Sequence, residues 1–207
     1  MLLDADDSQL VLVDYQVRLM PAIFENERVI ANAVRLARMA QALAVPVWGT
    51  AQNPDKLGQN VPEVHAAIEA AGGKILDKMH FSAVAEGLGD WLRPPLRKAT
   101  GGGNARSLPK HLQKTTPPED AGRSMIVIAG CEAHVCLMQT ALELLEEEFD
   151  VWVVTDACSS GSEHNRDAAF DRLAGNGAEL VTTEMVAFEW LRSCEHPAFR
   201  DFLGLVK

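Results

Sequence analysis

Three positions carry side chains of complementary chemistry, and each stands where an apolar run ends. Asp14 follows the run Gln9–Val13. Lys78 comes just after Lys74–Leu76. The heptapeptide Gly130-Cys131-Glu132-Ala133-His134-Val135-Cys136 follows Ser124–Ala129 and leads into a helix-period stretch. Taken singly, each has an ordinary explanation. An aspartate at a strand end is a turn or cap residue, a lysine there is solvated, and a cysteine in a first helical turn packs as a small hydrophobe. Taken together they could activate a nucleophile. A thiol in the first turn of a helix sits at the positive end of the dipole, which favours thiolate. A nearby carboxylate can accept the thiol proton. A lysine beside that carboxylate keeps it ionised and oriented, and N–H groups at the helix start can hold a developing oxyanion.

The elements that must position these groups alternate along the chain. Six apolar runs (Gln9–Val13, Val45–Thr50, Lys74–Leu76, Ser124–Ala129, Asp150–Thr155 and Ala178–Thr182) are separated by stretches of helical period. Glu25–Leu43 places Val29, Ala33, Leu36, Ala37 and Ala40 on one face, and Pro62 opens a short helix through Ala70. Further helices are read from Val84 to about Leu92, over Val135–Glu148 and over Glu163–Gly175. This alternation predicts βαβ units in an α/β fold: a three-layer α/β/α sandwich around a six-stranded, mostly parallel sheet, Rossmann-like with strand order 3-2-1-4-5-6. In such sheets ligands sit beyond the carboxyl ends of the strands, where the strand order reverses. That is the edge on which Asp14, Lys78 and Cys136 fall.

Composition narrows the function further. The chain has 207 residues, enough for one domain with a sizeable core, and its 47% hydrophobic and 23% charged content is that of a soluble globular protein. A formal net charge of −10 argues against nonspecific binding to nucleic acid or anionic membrane. No positively charged, apolar leader opens the sequence, and no run approaches the ~20 apolar residues of a membrane span, so a cytoplasmic protein is expected. The four cysteines, Cys131, Cys136, Cys158 and Cys194, form no Cys-x-x-Cys pair, which leaves no zinc ribbon or redox motif; all but one are read as buried packing residues. The first strand leads into Asp14-Tyr15-Gln16-Val17-Arg18 without G-x-G-x-x-G, so a dinucleotide-dependent oxidoreductase is disfavoured. The stretch from about Arg93 to Arg123 stands apart. It is rich in glycine and proline, carries seven basic against two acidic residues, and reads as an inserted loop within one domain.

At this point the sequence resembles the isochorismatase-like cysteine hydrolase superfamily, which includes nicotinamidases and carbamoyl-amide hydrolases. Four segments in order carry the resemblance: LVLVDYQ (Leu10–Gln16), KMHFSA (Lys78–Ala83), IAGCEAHVCLMQTALEL (Ile128–Leu144) and VVTDACSS (Val153–Ser160). TAQNPDKLG and DACSSGSEHNRDAA look most like the subgroup of isochorismatase domain-containing proteins. The resemblance implies Asp14 as base, Lys78 as its electrostatic partner and Cys136 as nucleophile. It also implies a cis peptide between Cys131 and Glu132, which aims the Glu132 N–H, together with that of Cys136, at the oxyanion.

Departures from the family pattern select among its reactions. Where nicotinamidases carry a metal-binding Asp-x-His pair, this chain reads Thr50-Ala51-Gln52-Asn53-Pro54-Asp55; His65 is the nearest histidine, and one histidine makes no site, so neither a metal nor another cofactor is expected. Acid-catalysed vinyl-ether cleavage is disfavoured by the presence of Cys136. The expected reaction is hydrolysis of a small-molecule amide or related C–N bond through an acyl-enzyme. Gln16, which alternation places on the side of Asp14, is a candidate pocket residue with Gln52, Phe81 and His134. Members of the superfamily are commonly dimers, tetramers or larger, so a homo-oligomer is expected; the 93–123 loop is read as solvated or, if it does anything specific, as touching a neighbouring subunit. The alternative is a binding or assembly module that keeps the fold with little or no turnover.

Overall fold

Apolar side chains on consecutive residues need cover on both faces of a strand, and the two central strands have it. The computed structural model describes residues 1–93 and 122–206. Its six strands are β1 (Ser8–Val13), β2 (Val47–Gln52), β3 (Lys74–Lys78), β4 (Met125–Gly130), β5 (Asp150–Val154) and β6 (Glu179–Val181). They form one sheet in the order β3-β2-β1-β4-β5-β6. Every pairing is parallel, where the sequence predicted a mostly parallel sheet. Every residue of β1 and β4 is buried, as expected of parallel strands sandwiched between helical layers.

The helices are α1 (Asn26–Ala42), α2 (Pro54–Leu57), α3 (Pro62–Ala70), α4 (Leu88–Leu92), α5 (Met138–Glu146), α6 (Glu163–Gly175), α7 (Thr183–Leu191) and α8 (Phe199–Val206). α1 packs with α3, α7 and α8, and α5 packs with α6, giving a layer on each side of the sheet. Two helical spans differ from their sequence reading. The helix expected from Val84 to about Leu92 divides into a 3-10 turn, Val84–Glu86, and α4, because Gly87 between them takes a left-handed φ of 91°. The helix expected at Val135 instead opens two residues earlier with one wide π turn, Ala133–Leu137, before α5 begins.

The strand order reverses between β1 and β4, so their carboxyl ends form the crevice. Gly130 lets the two approach there. A Cβ on it would lie 2.3 Å from Val13 O and 2.6 Å from Val13 Cβ. Of the basic stretch 93–123, residues 94–121 lie outside the described residues. Its two flanks meet at the opposite edge, where the Gln9 amide donates to Leu92 O (2.9 Å) and to Arg123 O (3.1 Å).

Candidate active site

Asp14 is the first residue past β1. Its backbone is left-handed (φ 54°), a conformation aspartate tolerates better than most side chains, and it turns the chain away from the sheet. The side chain is fully buried between β2 and β3. Oδ1 accepts from Thr50 Oγ1 at 2.7 Å, and Oδ2 lies 2.8 Å from Lys78 Nζ.

Lys78 closes β3, opposite Gln52 in register, and is itself buried. A buried ammonium is costly unless every proton finds an acceptor. Here Nζ donates to Gln52 Oε1 (2.7 Å), Phe81 O (2.9 Å) and His80 O (3.3 Å). With Asp14 Oδ2 at 2.8 Å, four oxygens surround the three ammonium protons, and the His80 carbonyl is the farthest of them. Asp14 Oδ2 is thus the ion-pair partner of the ammonium, at hydrogen-bonding distance from it. A carboxylate oxygen has a second lone pair, so this contact leaves it able to accept a further proton.

Cys136 sits in the π turn that follows β4 and is 6% exposed. The Asp14 carboxylate and the Lys78 ammonium both act electrostatically on its thiol, in opposite directions. The helix-dipole expectation of a ready thiolate is overturned here. Burial, and then the Asp14 carboxylate, push the thiol up to about 12, against the opposing pull of Lys78. The reason is desolvation, which a first-turn position does not reveal in the sequence. Burial likewise pushes the Cys131 and Cys158 thiols up, and both are enclosed. Cys194, also read as a packing residue, is exposed.

The Cys131–Glu132 peptide is cis. Around it, Ala133 N–H donates to Ser159 O (2.8 Å), while Val135 and Leu137 N–H reach Glu132 O (3.1 and 3.3 Å). The Glu132 N–H has no acceptor among the described residues. The Glu132 carboxylate accepts from Gly161 N–H at 3.0 Å, pinning the turn to the loop after β5.

The four expected pocket residues divide. Gln16 is fully buried and committed to backbone: its amide donates to Gln52 O (2.9 Å) and Gly58 O (2.6 Å), and its Oε1 accepts from Gln52 N–H (2.9 Å). It clamps the end of β2 and offers nothing to open space. Gln52 spends its side chain on Lys78 and on Met79 O (2.7 Å). Phe81 reaches the site through its carbonyl, while the residue itself is 53% exposed. His134 pairs with Ser160 Oγ (2.9 Å) and lies 3.4 Å from the Asn165 amide. Thr50, which no motif singled out, holds the Asp14 carboxylate; its one signal was a place at the end of the second apolar run. Among the described residues no three His, Cys, Asp or Glu side chains are grouped to hold a metal ion.

An all-parallel sheet of this order, with a carboxylate, a lysine and a cysteine on its carboxyl edge, is the isochorismatase-type hydrolase fold. The chain belongs to the isochorismatase domain family, whose model matches residues 8–99 and 107–185. It is 32% identical over 202 residues to isochorismatase domain-containing protein 2A of Mus musculus, covering 98% of this chain and 84% of the mouse protein. It is 30% identical to the secreted isochorismatase effector Isc1 of Phytophthora sojae, covering 97% and 84%. Among solved structures it resembles the MAR1 ribonuclease of Caenorhabditis elegans (TM-score 0.82, 28% identity, 100% and 92% covered). It also resembles YcaC of Pseudomonas aeruginosa, solved with covalent acrylamide (0.77, 27%, 99% and 91%). YcaC of Escherichia coli, described as an octameric hydrolase of unknown specificity, is a further neighbour (0.75, 26%, 100% and 95%).

Proposed function

We propose that this protein is a cysteine-dependent hydrolase of a small amide or related C–N bond. The observation that carries the reading is the fully buried Asp14–Lys78 pair, 2.8 Å apart, on the sheet edge that also presents Cys136, whose thiol both charges perturb. A thiol pushed up to about 12 rests protonated at neutral pH, so proton transfer accompanies attack. Cys136 Sγ bonds the substrate carbonyl carbon as its proton passes to Asp14 Oδ2. The carbonyl electron pair moves to oxygen, held by the N–H groups of Glu132 and Cys136. Collapse breaks the C–N bond, and the leaving amine takes the proton from Asp14. Water then attacks the thioester, giving its proton to Asp14, which returns it to sulfur as the acid departs. Positioned base catalysis of this kind contributes ~10²–10⁴-fold, and each oxyanion donor ~3–4 kcal/mol. No step calls for a cofactor.

That a P. aeruginosa neighbour holds covalent acrylamide supports a reactive nucleophile in this fold. The octameric E. coli neighbour supports a homo-oligomer, and a second copy would also bear on how substrate reaches so enclosed a cysteine. The free cysteines favour a cytoplasmic location, while one relative is named as secreted. No helix among the described residues is long and apolar enough to cross a membrane. The net charge of −10 favours a small substrate over a polyanionic one. The second reading, an assembly module with little turnover, draws on the 6% exposure of Cys136. A panel of small amides, carbamoyl compounds and ureides separates the two. Turnover together with a mass adduct on Cys136, both absent in Cys136→Ala, is the expected result. Turnover that survives Cys136→Ala overturns the covalent route, and no turnover or adduct across the panel favours the module.

A further inference from the structure

The lysine of the site is held by a loop, and that loop is held in turn by the helix that carries the nucleophile. Two of the four oxygens around Lys78 Nζ are backbone carbonyls, of His80 and Phe81. Immediately beyond them, Ser82 Oγ donates to Glu143 Oε2 at 2.5 Å, and the buried Ala83 N–H donates to Thr140 Oγ1 at 3.0 Å. Thr140 is four residues past Cys136 and Glu143 is seven, so all three fall on one face of the same helical segment. Ser82 Oγ also receives Val84 N–H at 3.2 Å, which ties the loop into the turn that follows it. Ser82, Ala83 and Thr140 are buried, and the Ala83–Thr140 bond is shielded from competing water.

We infer that Thr140 and Glu143 are positioning residues, which lock the Lys78-bearing loop to the nucleophile helix so that ammonium, carboxylate and thiol keep one geometry. The inference rests on the proposed reading of Asp14, Lys78 and Cys136 as one unit. Neither residue touches the reacting atoms; each acts on Lys78 through the Phe81 and His80 carbonyls. If the lock is released, the carbonyls drift, Lys78 loses its fixed place beside Cys136, and the thiol yields its proton less readily.

The test is the rate at which iodoacetamide alkylates Cys136 in the native full-length protein at pH 9, read by peptide mass spectrometry. It needs no substrate and so is independent of turnover. Thr140→Val keeps the shape and removes the acceptor; its rate is expected to fall at least about threefold, because fewer thiols are ionised at fixed pH. Thr140→Ser, which restores the hydroxyl, is expected to recover the rate. Ser82→Ala tests the Glu143 arm and should fall in the same direction. Leu173→Ala, a core truncation on α6, lowers the melting temperature without the same fall, which separates positioning from general loosening. An unchanged rate in Thr140→Val and Ser82→Ala, where Lys78→Met lowers it, overturns this inference and spares the proposed unit. An unchanged rate in Lys78→Met as well overturns both.

Discussion

Lys78 Nζ stands 2.8 Å from Asp14 Oδ2, with both side chains shut away from solvent. Two charges taken out of water stabilise one another only when their geometry and remaining hydrogen bonds are complete. Here they nearly are. Thr50 serves one carboxylate oxygen, and Gln52, His80 and Phe81 serve the ammonium. Oδ2 faces the ammonium with a lone pair left over, where the proposed chemistry needs a base.

Removing one partner of this pair therefore leaves the other charge stranded. Lys78→Met is expected to cost ~3–5 kcal/mol, and Asp14→Asn a comparable amount. The double variant should cost less than the sum of the two. Urea unfolding of the four proteins measures this coupling; additive losses would show that the pair does not interact as drawn.

Cys136 makes a distinct statement about pH. Its thiol is raised above its unfolded value, to about 12. Its stabilising contribution is therefore complete below about pH 9 and is lost as pH rises from there toward 12. Cys131, Cys158 and Tyr15 are raised as well, so the comparison must be with Cys136→Ala. Between pH 8 and 11 the parent should lose stability faster than the variant, with a difference on the order of 1 kcal/mol per pH unit at most. Parallel curves in denaturant titrations would mean a solvated thiol.

Gly130 lies where β1 and β4 approach, between Asp14 and Cys136. A methyl group there would collide with Val13 O, a backbone atom that cannot swing aside, and φ is +155° besides. Gly130→Ala is expected to destabilise by ~2 kcal/mol or more and to slow Cys136 alkylation by prising β1 from β4. A melting temperature within a degree of the parent would contradict this packing.

The outward-facing loop supplies a milder case. Glu86 Oε1 accepts from the N–H groups of Met79 and His80 (2.8 and 3.0 Å), which hold its carboxyl down at about 2. This cap is complete above about pH 4.5 and is lost as pH falls toward 2. Glu86→Ala should speed hydrogen exchange at the Met79 and His80 amides at neutral pH, where Glu86→Gln leaves them partly protected. Equal exchange in all three proteins would remove the cap from the account.

Much of this molecule is legible in the order of its residues. Apolar runs alternating with helical periods specify parallel βαβ units, because strand and helix faces repeat at fixed and different intervals. Asp14, Lys78 and Cys136 are recognisable because each stands at the end of a strand, and strand ends share one edge when the sheet is parallel. What the three groups do to one another lay beyond that. The sequence suggested a thiol favoured as thiolate; the fold raises it, since the degree of burial depends on segments far away in the chain. Alternation put Gln16 on the side of Asp14, and the fold turned it to β2. Gln52 looked like a pocket residue and became a ligand of Lys78. Position along a strand is a local property that the sequence determines by itself. Hydrogen-bond partners and proton affinities belong to the assembled environment, and only the tertiary structure decided them.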